Sequence, residues 1–354
     1  MRPPHVFRTL AIAVTGVVAA VVFTTQPGAA GAPSTDADAA LAGRIATYVA
    51  AQTKAGEFSG VVLLSRRGST IYSGAFGLAS VEYVVPNTID TAFNLGSIDK
   101  VMTRIAIEQL VEAHRLTLDQ TIGDLLPDYP NASAKIVTVR QLLDMSSGIG
   151  DFFGPQFQAT PKDKIRSLAD YVPLFANEPL AFAPGSDHKY SNGGYIVLGL
   201  IVERISKQSY YDYVRTHIFE PAGMTSSGWP QRDDPAARVA TGYTNESEDG
   251  PSQTRRNNIY TAPARGSSAG GGYATAPDLV KFAAALQSGK LLTRDDADRL
   301  FGGGLGVAGG APGINADLEM DAQSGYVLVV LSNYDPPSAR DVAKTIRGWI
   351  GLSG

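Results

Sequence analysis

Apolar positions divide this chain into short continuous runs near its two ends and helical stripes through its middle. Val61–Leu64 and Ile71–Phe76 are apolar runs, and Arg66-Arg67-Gly68 between them reads as a hairpin turn. Gly313–Met320 and Gly325–Leu331 form a second pair, joined across Asp321–Ser324. The last run is apolar throughout, as expected of a central strand. Ahead of the first pair, Leu41, Ile45 and Val49 predict an amphipathic helix over about residues 41–55. After the second pair, Pro336-Pro337 stops the strand, and Ser338 can cap a last helix with Val342, Ile346 and Ile350 on one face.

The middle reads as helices. Following Ser97, Arg104, Glu108, Glu112 and Arg115 form one polar stripe. Met102, Ile105, Ala106, Ile107, Leu110 and Ala113 fill most of the remaining arc, which predicts a largely buried helix. Thr138 is placed to N-cap a short helix over Val139–Met145, ended by Ser146-Ser147-Gly148. A helix near 167–177 would be kinked by Pro173. Gly193–Ile205 is apolar on nearly every side, a second buried helix too short for a bilayer. Tyr210–Phe219 continues as a partly amphipathic helix, and 221–271 reads mostly as loop. Ala276–Gln287 is helical, with Leu279, Phe282, Ala283 and Leu286 on one face. Gly302-Gly303-Gly304 and Gly309-Gly310 mark a flexible or closely packed stretch. The simplest packing is an α+β fold: one antiparallel sheet built from both chain ends and flanked by helices, with an all-helical part inserted. The sheet part is expected over about 41–95 and 273–354, and the helical part over about 96–272.

Composition narrows the class. With 354 residues, 44% hydrophobic and 18% charged, the chain can bury a large core. A net charge of -4 without charge runs argues against nucleic acid as a partner. Residues 1–32 have the form of a secretory signal: Arg2, His5 and Arg8, an apolar run from Leu10 to Phe23, then Ala30-Gly31-Ala32. The mature domain would then be 33–354, periplasmic or secreted, with no stable membrane span after cleavage. No cysteine is present, which excludes disulfides, thiol nucleophiles and zinc–thiolate sites. His5, His114, His188 and His217 lack metal-ligand spacing, so neither a metal nor another cofactor is expected.

The candidate chemistry begins at Ser97 and Lys100. One helical turn apart at a helix start, they set an alcohol beside an amine. Burial would depress the lysine pKa and free it to accept the serine proton. Ser-x-x-Lys occurs about once by chance in a chain this long, and its bland reading is a capping serine with a surface lysine. This sequence has two, Ser97–Lys100 and Ser186–Lys189. The first opens a buried helix; the second follows the turn Pro184-Gly185. Just past it, Tyr190-Ser191-Asn192 stands at the entrance to the other buried helix. A tyrosine near a lysine can exist partly as phenolate, and an asparagine offers a donor and an acceptor to a substrate amide. A rival nucleophile, Ser268 in Gly266-Ser267-Ser268-Ala269-Gly270, fits Gly-x-Ser-x-Gly but lacks a preceding apolar strand and a later histidine.

Ser-x-x-Lys followed by Tyr-x-Asn resembles the serine β-lactamase and penicillin-binding-protein superfamily, in particular its class C β-lactamase, D-alanyl-D-alanine carboxypeptidase and esterase group. Val139–Leu143 before Ser146-Ser147-Gly148, Phe219–Met224, Ala269–Tyr273 and Gly309–Gly313 are similar to the same group. The resemblance implies a β-lactamase/transpeptidase-like fold and an acyl-enzyme hydrolase for an amide, β-lactam or ester carbonyl. It implies Ser97 as nucleophile, Lys100 and Tyr190 as the proton-sharing pair, Asn192 as a substrate-orienting group and the N–H groups of Ser97 and Gly310 as oxyanion donors. The substrate would be a small molecule or peptide, such as one derived from the cell wall. One motif departs: Val307 stands where the group carries Lys or His, and the region from Leu292 to Val307 is short for the strand that precedes it. That departure favours a neutral ester or amide substrate and motivates an alternative, a catalytically weakened relative that binds cell-wall peptides.

Overall fold

The computed structural model describes residues 36–234, 238–247 and 250–352; the expected signal segment lies outside them. Helix α1 (Asp36–Lys54) leads into strands β1 (Gly60–Arg66) and β2 (Ser69–Phe76). Helices α2 (Asp99–Glu112), α3 (Asn192–Ser206), α4 (Ala276–Gln287) and α5 (Arg294–Phe301) follow, with shorter turns between them. Strands β3 (Gly304–Ala311), β4 (Ile314–Asp321) and β5 (Tyr326–Ser332) and helix α6 (Ser338–Ile350) close the chain.

The two ends share one five-stranded sheet in the order β2-β1-β5-β4-β3, antiparallel at every pairing. β1 and β5 are central and read as unbroken apolar runs because both faces of the sheet are covered. Val62, Leu64, Leu328 and Val330 pack with Ile45, Val49, Val342 and Ile346 of α1 and α6. Val61, Leu63, Val329 and Leu331, on the other face, join the larger core that contains Met102, Ile105 and Ile107 of α2 and Ile196 and Ile201 of α3.

Helix α2 is buried as expected, but its polar stripe is not a solvent face. Glu108 is buried and pairs with Arg299 of α5 at 3.2 Å, and Glu112 accepts the Thr293 N–H at 2.8 Å. The two glutamates of the stripe therefore dock α5 and its cap. Thr138 caps its helix in a reciprocal capping box with Gln141. The segment around Pro173 is an α-turn, Leu168–Tyr171, followed by a 3₁₀ turn. The expected helix 210–219 is α only to Val214, then widens into a π turn over Arg215–Phe219. Pro221 has no N–H to offer the His217 carbonyl, and Gln109 Nε2 takes that carbonyl at 3.1 Å.

Of the two alternatives for the glycine-rich stretch, close packing holds: it forms the edge strand β3, paired with β4 from Ala311↔Ile314 to Gly304↔Asp321. One expectation near the C-terminus is corrected. Ser338 does not cap α6; Pro337 occupies the cap, and the first free N–H groups, of Ala339 and Arg340, donate to Asn315 Oδ1 at 2.7 and 3.1 Å. Among the described residues no helix is long and apolar enough to cross a membrane.

Candidate active site

Phe93 and Asn94 pair with Ala274 and Tyr273, which brings the glycine-rich segment 266–272 alongside the chain just before α2. Asn94 then bends the backbone: its Oδ1 accepts the Gly96 N–H at 2.9 Å. A 3₁₀ turn over Gly96–Ile98 follows and carries Ser97 into α2. The edge strand β3 presses against this turn. A Cβ on Gly309 would lie 1.9 Å from the Leu95 carbonyl oxygen and 2.8 Å from the Ser97 nitrogen, so only glycine allows the approach.

Four of the expected site residues meet here. Ser97 Oγ lies 2.5 Å from Tyr190 Oη and accepts from Lys100 Nζ at 3.2 Å. Lys100 Nζ also donates to Asn192 Oδ1 at 2.7 Å and to the Ala269 carbonyl. Asn192 Nδ2 in turn donates to Asp151 Oδ2 at 2.7 Å. The fifth, Gly310, lines the same cavity of about 470 Å³ as Ser97, Tyr190 and Asn192. The second Ser-x-x-Lys pair stays out of it: Ser186 and Lys189 are exposed, and Ser186 Oγ donates to the Ala183 carbonyl at 2.7 Å. Ser268 is buried and donates to the Tyr195 carbonyl at 2.8 Å, holding the glycine-rich segment onto α3.

Electrostatics differ from the sequence expectation at one residue. Burial pushes the Lys100 ammonium down from 10.5 to about 7, against the pull of Asp151 and Asp99. A neutral amine is therefore accessible near neutral pH. Asp99, beside it and fully enclosed, is pushed up to about 7 by the same loss of water, with Gly272 N–H donating to one oxygen. Tyr190, in contrast, is raised by its partial burial, against the lowering effect of its bond to Ser97, which favours the neutral phenol over the partial phenolate.

The departure at Val307 has a structural reading. Val307 pairs with Leu318 and packs on the larger core, and it does not line the cavity. The region before it holds α5 and the first residues of β3, so the strand forms despite its short lead. Behind β3, Asn315 Nδ2 donates to the Gly309 carbonyl at 3.0 Å. In a trans peptide the N–H points opposite to the C=O, so this bond helps fix the direction of the Gly310 N–H. Asp151, Asn315 and Asn94 carry no motif of their own; only the Asn94 turn, two residues before Gly96, had a local signal.

The Beta-lactamase family profile matches residues 45–353. The chain belongs to the Beta-lactamase family. Among relatives, it is 30% identical over 292 residues to the putative penicillin-binding protein PbpX of Bacillus subtilis, covering 77% of this chain and 70% of the relative. Other curated relatives are longer, and the chain covers only 37% to 38% of two of them. A penicillin binding protein from Bacillus halodurans has a TM-score of 0.77 at 30% identity, over 85% of this chain and 99% of that one. The D-amino acid amidase from Ochrobactrum anthropi SV3 has a TM-score of 0.73 at 23% identity, over 90% and 98%, a likeness of fold. The β-lactamase/transpeptidase-like architecture is thus established, and this Beta-lactamase family member falls within a serine hydrolase superfamily.

Proposed function

We propose that this chain is an exported serine hydrolase that works through an acyl-enzyme on Ser97 and cleaves an ester, amide or β-lactam carbonyl. The observation that carries this reading is the Lys100–Ser97–Tyr190 contact set, with Ser97 Oγ 3.2 Å from one partner and 2.5 Å from the other. In acylation, neutral Lys100 takes the Ser97 proton as Oγ attacks the carbonyl carbon. The charge that develops on the carbonyl oxygen is met by the N–H groups of Ser97 and Gly310. Tyr190 delivers a proton to the departing group and is recharged from Lys100. Asn192, held between Lys100 and Asp151, orients the substrate amide. Water then attacks the acyl group, with the same two residues managing its proton. Residues 1–32 would serve as the signal and 33–354 as the mature hydrolase.

Hydrolysis of p-nitrophenyl butyrate tests the assignment. Ser97→Ala should abolish it, and Ser268→Ala should keep it, since Ser268 is spent on the Tyr195 carbonyl. Loss in the second variant and not in the first would overturn the reading. The binding-only alternative rests on Val307, and it predicts saturable peptide binding without turnover.

A further inference from the structure

We propose that Arg232 is an anion subsite of this cavity, so that the hydrolase acts on substrates carrying a carboxylate or similar acidic group. The inference rests on the serine-hydrolase reading above and adds the substrate class. Among the residues that line the cavity, Arg232 is the one with a formal charge; the other polar side chains are neutral Ser, Thr, Asn and Tyr. A guanidinium presents its donors in a planar fork that fits a carboxylate.

The side chain is fixed rather than loose. Arg232 Nη1 donates to the Asn258 carbonyl at 3.1 Å and Nη2 to Asn258 Oδ1 at 3.2 Å. Asn258 is itself buried, and its Nδ2 donates to the Pro312 carbonyl at 2.8 Å. Its amide is wedged between two glycines: a Cβ on Gly242 would lie 2.3 Å from Asn258 Nδ2, and one on Gly313 would lie 2.8 Å from it. Pro312 follows Gly310 by two residues in the β3–β4 turn, so the guanidinium is tied to the lip that carries the proposed oxyanion donor.

The charge is also unanswered. Among the described residues no carboxylate lies within ion-pair distance of Arg232. Its neighbour Asp233 is taken by Arg166, at 2.9 Å from Nη1. Two of the five guanidinium N–H groups are used on Asn258, leaving about three for a ligand. Arg232 stands where the wall of this cavity meets the adjoining one that holds Asn258, and a planar donor set fixed in the wall of the cavity that contains Ser97 matches a carboxylate. Through Asn258 and the Pro312 carbonyl the cation is tied to the turn after β3, beyond Gly310 from Val307, which lies in the middle of that strand. Val307 alone favours a neutral substrate, and Arg232 supplies a cation from outside that motif.

The test uses two matched ester pairs with purified full-length protein, each rate normalised to hydroxide-catalysed hydrolysis. One pair varies the acyl side: p-nitrophenyl hydrogen glutarate against p-nitrophenyl butyrate. The other varies the leaving side: 4-carboxyphenyl butyrate against 4-carbamoylphenyl butyrate. Wild type should prefer the anionic ester by about tenfold or more in kcat/KM in at least one pair. Arg232→Gln should erase that preference and leave the neutral ester within about threefold of wild type. Arg232→Lys should retain part of it. Equal kcat/KM within both pairs, a preference that survives Arg232→Gln, or an equal fall for charged and neutral esters would each overturn the proposal, the last by making Arg232 a staple for the Asn258 loop. Ser97→Ala run in parallel separates the two levels. If it hydrolyses the esters like wild type, the serine reading fails; if it is inactive while Arg232→Gln changes nothing, only the subsite fails.

Discussion

Lys100 offers the sharpest test of how the site handles protons. Its amine is lowered from 10.5 to about 7 by burial. A shift of that size is worth roughly 5 kcal/mol of lost hydration for the charged form. Only the neutral amine can take the Ser97 proton, so the rate of acylation should follow the neutral fraction. That fraction is about one half at pH 7 and about 1% at pH 5, so the rate should fall about fiftyfold between them, approach a tenfold loss per pH unit below about 6, and level off above about 8. Lys100→Arg keeps the charge and some reach to Asn192 but never deprotonates, so acylation should drop by at least about 10³-fold across the range. Rapid-mixing measurement of the p-nitrophenol burst between pH 5 and 9 reads this step directly. A flat profile over that range, or a Lys100→Arg variant within about tenfold of wild type, would refute the assignment of Lys100 as proton acceptor.

Two further outcomes test the scaffold. Asp317, buried on β4, has its carboxyl pushed up to about 7 by burial, with Glu319 adding to the effect and Arg347 and Arg340 opposing it. The native state then holds this proton after the unfolded chain has released it, so stability falls as pH rises from about 4 to 7. Asp317→Asn should raise the unfolding free energy by up to about 4 kcal/mol at pH 8 and by little at pH 4; equal gains at both values, read by thermal or denaturant unfolding, would contradict this. Asn315→Ala removes one partner from the Gly309 carbonyl and from the first N–H groups of α6. It should cost about 1–3 kcal/mol of stability and slow acylation by about 10–100-fold as the Gly310 N–H loses its guide. Wild-type acylation in a folded variant would show that β3 keeps its geometry unaided.

Much of the fold was legible because burial left a plain trace. Val61–Leu64 and Val327–Leu331 are apolar without alternation, and both faces of those strands are covered. Strand β3 was legible only through the family resemblance at Val307–Gly310, because Gly304, Gly306, Gly309 and Gly310 supply no side-chain period. Gly309 is there to let the strand approach Leu95 and Ser97, a constraint set by a partner more than 200 residues away and invisible locally. Ser97, Lys100, Tyr190 and Asn192 could be paired across the chain because each pair opens a buried helix. The balance at Tyr190 could not be read, since proximity to Lys100 favours a partial phenolate while the partial burial of the ring and the deeper burial of Lys100 oppose charge. Arg232 belongs to no motif, and its place in the wall depends on Asn258, which loop composition alone does not position.

Acylation of Ser97 is open to direct measurement by mass. Wild-type protein and Ser97→Ala, each incubated with an activated ester and with a fluorescent penicillin, would be quenched in acid and weighed intact, with the modified peptide then mapped. A mass increase equal to the acyl group, found on the peptide containing Ser97 in wild type and missing from Ser97→Ala, is the predicted result. The same adduct on both proteins, or one mapped to Ser268, would contradict it.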